Sequence, residues 1–107
     1  MPKIMIIEDD RAVREELTLL LKNEGYIPIP VTSFQDIVQQ IKEDDPDLIL
    51  LDLGLPGQDG LSLCAELRRD SNTPIIFVTS RNSTADELLA LSMGGDDYIC
   101  KPYNIPL

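Results

Sequence analysis

Residues 48–57 read Leu48-Ile49-Leu50-Leu51-Asp52-Leu53-Gly54-Leu55-Pro56-Gly57. Four apolar residues run without a break into an aspartate, and a Gly/Pro loop follows. A short unbroken apolar run is how a strand covered on both faces of a parallel sheet reads. The same form recurs on either side, at Lys3-Ile4-Met5-Ile6-Ile7 and at Ile75-Ile76-Phe77-Val78. Helical periods fall between these runs. Val13, Leu17, Leu20 and Leu21 follow one stripe, and Phe34, Ile37, Val38 and Ile41 follow another. Further helices are expected over about Leu61–Arg69 and Thr84–Met93. Gly25 and Gly94 stand where helices end, and Ser33 with Asp36 has the form of a capping box.

The segment Ile27-Pro28-Ile29-Pro30-Val31 bears on the strand order. Both prolines lack an amide donor, and alternate residues of a strand aim their amides to the same side. The two missing donors can therefore face away from the sheet, which confines this strand to an edge. A short last strand is expected near Tyr98–Cys100. Alternation of strand and helix predicts an α/β fold, a doubly wound five-stranded parallel sheet with right-handed crossovers. The order 2-1-3-4-5 requires such an edge position for the second strand, and it is the order expected here.

A chain of 107 residues holds one domain. Its 9 basic against 19 acidic residues leave a net charge of −10, which repels nucleic acid and attracts cations. No apolar run approaches the about 18–20 residues of a membrane span, and no signal peptide opens the chain. Two cysteines, Cys64 and Cys100, make no disulfide framework or zinc motif, and reduced thiols in the cytoplasm are expected. Histidine is absent, so catalytic triads, histidine metal ligands and phosphohistidine chemistry on this chain are excluded.

In a doubly wound sheet, ligands bind beyond the carboxyl ends of the strands, where the order reverses. Those ends carry Glu8-Asp9-Asp10, Asp52, Thr79-Ser80 and Lys101-Pro102. Each has an ordinary reading: the acids can complement a helix dipole, and Asp52 can start a turn. Thr79 can be a loop residue, Lys101 a solvated lysine and Tyr98 a packing residue. Four strand ends that agree on one rim favour a site. Clustered carboxylates repel, which recruits a cation, and oxygen-only ligands with room for water suit Mg²⁺.

Across nearly its whole length the chain resembles the receiver domain of two-component response regulators. The resemblance rests on Ile6-Ile7-Glu8-Asp9-Asp10, on Leu50–Gly57 with Asp59-Gly60, on Phe77-Val78-Thr79-Ser80 and on Asp96–Tyr103. The last of these is similar to the OmpR/PhoB type. The resemblance implies a flavodoxin-like fold and a phosphorylation switch, not an enzyme, with at most slow self-dephosphorylation. It implies that Asp52 accepts phosphoryl from a sensor histidine kinase. Asp9, Asp52 and the backbone carbonyl of Gly54 would hold Mg²⁺, supported by Glu8. Thr79 and Lys101 would contact the phosphoryl oxygens, and Thr79 with Tyr98 would form the switch. Phosphorylated members dimerise through the surface of the fourth helix, fifth strand and fifth helix, and they meet DNA only through a downstream domain.

Two features depart from the family pattern. Gly54 replaces a larger side chain, and Arg81 lies two residues past Thr79; both positions tune the phosphoryl lifetime. The sequence stops at Tyr103-Asn104-Ile105-Pro106-Leu107, about where a fifth helix begins in the family. Residues 1–107 therefore read as a receiver domain cut before its last helix, with the output domain beyond it. Two rival readings compete with the switch. A Mg²⁺-dependent phosphohydrolase would want a second acid where Gly54 stands. A flavin carrier would want a phosphate cradle where the acids stand, and more than 5% aromatic residues.

Overall fold

The computed structural model describes residues 1–55, 57–79 and 97–100, with Thr79 and 97–100 as backbone only. Its elements are β1 (Lys3–Ile7), α1 (Arg11–Asn23), β2 (Ile27–Pro30), α2 (Ile37–Asp44) and β3 (Leu48–Leu51). There follow β4 (Gly54–Leu55), β5 (Gln58–Asp59), α3 (Gly60–Arg68), β6 (Ile75–Thr79) and β7 (Asp97–Cys100). Five strands form one parallel sheet in the order β2-β1-β3-β6-β7. With the small β4–β5 hairpin set aside, this is the expected order 2-1-3-4-5. Residues of the expected fourth helix, Gly94, Lys101 and the segment after it lie outside the described residues.

The prolines of β2 behave as their chemistry requires. Amides of Ile27 and Val31 donate to the carbonyls of Pro2 and Ile6, at 2.9 and 3.0 Å. Pro28 and Pro30 occupy the alternate positions, so their missing donors fall on the open side of the edge.

Among the described residues, apolar side chains of the strands are buried on both faces of the sheet. Met5, Ile7, Ile49, Leu51, Ile75 and Phe77 belong to one buried cluster with Ile37 and Ile41 of α2 and Leu61, Cys64 and Leu67 of α3. Ile4, Ile6 and Val78 are buried outside that cluster, and so is Leu17 of α1, which lies against β1 and β2. Leu48, Leu50 and Ile76, in register with Ile4, Ile6 and with each other, are half-buried.

Helix ends show where local signals held and where they did not. Asp10 caps α1, its side chain accepting the Val13 amide at 3.2 Å. The other end closes with Tyr26 N–H on Leu21 O, Gly25 N–H on Lys22 O, and Gly25 at φ 90°. That is a Schellman motif, and it needs the glycine. The expected capping box on α2 does not form. The helix begins only at Ile37, Asp36 adopts φ 54° and ψ 41°, and its side chain caps nothing. Ser33 lies too far upstream to reach the first turn; the Gln40 side chain instead donates to the carbonyls of Ser33 and Gln35, both at 2.9 Å. Phe34, expected on the helical stripe, packs against the core from this loop.

Candidate functional site

The register of the sheet builds the site. Ile7 pairs with Leu51 and Leu51 with Phe77, so β1, β3 and β6 reach the same level together. The next residues along β1 and β3 are acids, and the Asp52 amide donates to Ile7 O at 3.0 Å. Glu8 and Asp52 are buried, 3% and 8% exposed, while Asp9 is exposed. One carboxylate oxygen from each of Glu8, Asp9 and Asp52 lies within 4.8 Å of the other two. Glu8 Oε2 accepts the Asp10 amide at 3.2 Å, and the Arg14 guanidinium donates to the Glu8 carbonyl at 3.1 Å.

Three carboxylates drawn together, two of them buried, repel one another and favour a cation among them. The donor set is oxygen alone, with one exposed member that leaves room for water. Such a set fits a hard divalent cation of the Mg²⁺ class and not a soft metal.

Asp52 is also fastened to the loop that follows it. Its Oδ1 accepts the amide of Gly54 at 3.2 Å. Gly54 is exposed, and a Cβ on it would meet no atom of the described residues within 4 Å. Gly54 and Leu55 pair with Asp59 and Gln58 in an antiparallel hairpin. Asp59 then caps α3, its Oδ1 accepting the Leu61 amide at 3.0 Å.

Among the expected site residues, Glu8, Asp9, Asp52 and Gly54 thus come together. Thr79 ends β6 on the same rim, in register with Cys100 of β7, and Tyr98 is in register with Phe77. Lys101 and Arg81 lie outside the described residues. Sequence reasoning named Gly60 only as part of the resemblance, without a role, and overlooked Gln58. Gly60 donates to Leu53 O at 3.0 Å, and a Cβ on it would stand 2.8 Å from the Leu53 Cα. The Gln58 side-chain amide donates to Phe34 O at 3.0 Å. The Asp59-Gly60 pair directly after the loop was a readable signal for the first; none existed for the second.

Comparisons with known proteins bear on the family and the fold. Residues 4–106 match the family described as "Response regulator receiver domain". The chain is 45% identical over 103 residues to the transcriptional regulatory protein BaeR of Escherichia coli O6:H1, covering 96% of this chain. It spans 43% of the length of that relative. The BeF3-activated N-terminal receiver domain of Klebsiella pneumoniae RstA superposes with a TM-score of 0.90 at 35% identity, over 95% of this chain and 87% of that one. The N-terminal domain of the nisin resistance regulator NsrR gives 0.87 at 42%, over 97% and 88%. Among the described residues, no helix is long and apolar enough to cross a membrane.

Proposed function

The chain belongs to the response regulator receiver domain family, and from that premise we propose that it is a phosphoryl-accepting switch with Asp52 as the acceptor. The observation that carries this reading is the cluster at the rim. Asp52 directly follows the central strand, 8% exposed, and one oxygen of its carboxylate lies within 4.8 Å of one from each of Glu8 and Asp9.

Asp9, Asp52 and the Gly54 carbonyl would hold Mg²⁺, with Glu8 supporting the set. When bound, the ion offsets negative charge on the phosphoryl group. A carboxylate oxygen of Asp52 attacks the phosphorus of a phosphohistidine on a partner sensor kinase. The new P–O bond forms as the P–N bond breaks, and the bond's electron pair leaves with the imidazole. Asp52 is already ionised, so the attack needs no general base. Register at Ile7 and the bond from Gly54 orient the nucleophile before the donor arrives. Thr79 donates a hydrogen bond to a phosphoryl oxygen, and Lys101 neutralises another.

Acceptance is stoichiometric: the chain is a switch and not an enzyme, with at most slow hydrolysis of its own aspartyl phosphate. Thr79 moving toward the phosphoryl group frees space into which Tyr98 turns, altering the surface of the fourth helix and last strand. In the full-length cytoplasmic protein that surface, completed by a fifth helix, forms a homodimer that controls a downstream DNA-binding domain. Similarity to a transcriptional regulatory protein supports this output.

Incubation with acetyl phosphate and Mg²⁺ followed by intact mass tests the reading. One added phosphoryl on the wild type and none on Asp52→Asn is expected. Sustained turnover of a phosphate ester would assign the chain to the phosphohydrolases instead.

A further inference from the structure

We propose that Gln58 is a positioning residue for the acceptor site, holding the Asp52 loop through a single side-chain bond to the loop before α2. The inference rests on the reading of Asp52 and Gly54 given above. A two-residue ladder such as β4–β5 is not stable by itself. Among the described residues, several attachments hold it. At its base, Gly60 donates to Leu53 O. Leu55 is 7% exposed and inserts into the core. Its partner in the ladder, Gln58, reaches across 24 positions of sequence to Phe34 O at 3.0 Å.

The Gln58 attachment crosses a depression between the two loops that Ser33, Phe34, Gln35, Gly57 and Gln58 line. The far anchor is itself rigid. Phe34 packs against the core, and Gln40 binds the carbonyls on either side of it, those of Ser33 and Gln35. Gln58 thereby ties the hairpin to a fixed point. Within the hairpin, Leu55 pairs with Gln58 and Gly54 with Asp59. Gly54 carries the amide that binds Asp52 Oδ1, and its carbonyl is a proposed metal ligand. A hairpin released at Gln58 would let Gly54 drift, disturbing carboxylate and carbonyl together. Metal and nucleophile sites lose function through such supporting bonds without losing their ligands.

The test compares wild type, Gln58→Met, which keeps the volume but donates nothing, and Gln58→Lys, which restores a donor of similar reach. Exchange of the Gly54 amide with solvent and Mg²⁺ affinity, both followed by NMR, are read beside the melting temperature. In Gln58→Met, Gly54 should exchange faster and Mg²⁺ should bind about tenfold more weakly, the lower range for loss of a supporting bond. Melting should hardly move, and Gln58→Lys should recover both properties. Unchanged Gly54 exchange and Mg²⁺ affinity in Gln58→Met would overturn the proposal. A loss that tracks melting and is not recovered by Gln58→Lys would overturn it equally. If the wild type binds no Mg²⁺ through Asp52, the functional reading fails, and Gly54 exchange still decides the tether. Should Gln58→Met fail to fold, Gln58→Glu, which keeps the length and only accepts when ionised, is read in the same way.

Discussion

Gly60 and Asp52 meet through their backbones with no space for a side chain between them. The amide of Gly60 binds the carbonyl of Leu53, and a Cβ on Gly60 would press into the Asp52 carbonyl and stand 2.8 Å from the Leu53 Cα. The first residue of α3 is thus seated on the peptide that carries the proposed acceptor.

Gly60→Ala should therefore weaken both fold and site. Alanine improves helix propensity by at most about 1 kcal/mol. Overpacking against backbone, which cannot rotate away, costs about 1–3 kcal/mol, and this term wins. Chemical denaturation should show a net loss of stability, and acetyl phosphate should label the variant more slowly. A variant as stable and as quickly labelled as wild type would refute this.

Asp52→Asn should fold normally, since its amide oxygen can still accept from Gly54. It should take up no phosphoryl group, because an amide is a poor nucleophile. Peptide mapping after acetyl phosphate treatment checks the assignment; stoichiometric label on Ser80 or Thr79 would move the acceptor there.

Mg²⁺ should raise the melting temperature. A ligand at ten times its Kd stabilises the native state by about 1.4 kcal/mol. In a domain near this size, each kcal/mol is worth about 4–8 °C. Asp9→Ala and Asp52→Ala should each erase the gain in thermal scans. An undiminished response in both would place the cation away from the Glu8, Asp9 and Asp52 cluster.

Tyr98→Ala should leave phosphoryl uptake nearly intact while removing phosphorylation-dependent dimerisation of the full-length protein. Sedimentation with and without beryllium fluoride measures it. Equal dimerisation by wild type and variant would refute the role of Tyr98 in switching.

Pro28→Val with Pro30→Val should open the edge of the sheet. Both substitutions add an outward amide donor to a strand whose Ile27 is already 44% exposed. Concentration-dependent self-association should appear in sedimentation velocity. A strictly monomeric double variant would show that the prolines do not guard this edge.

Much of this molecule is written in local sequence. Unbroken apolar runs identify the strands because both faces of a parallel sheet are buried, and paired prolines identify the edge because they have no donor to give. Once the strand order is known, Glu8, Asp9 and Asp52 converge by topology alone. Other features were settled only in three dimensions. Ser33 and Asp36 have the letters of a capping box, but α2 starts at Ile37, after a loop that packs a half-buried Phe34 against the core and is bound by Gln40. Nothing in the letters around Gln58 announces its bond to Phe34, because a hydrogen bond between loops 24 residues apart depends on where both are carried by the sheet. Gly60 shows the same division: the sequence supplies a residue without a side chain, and only the approach of α3 to the Asp52 peptide makes that lack necessary.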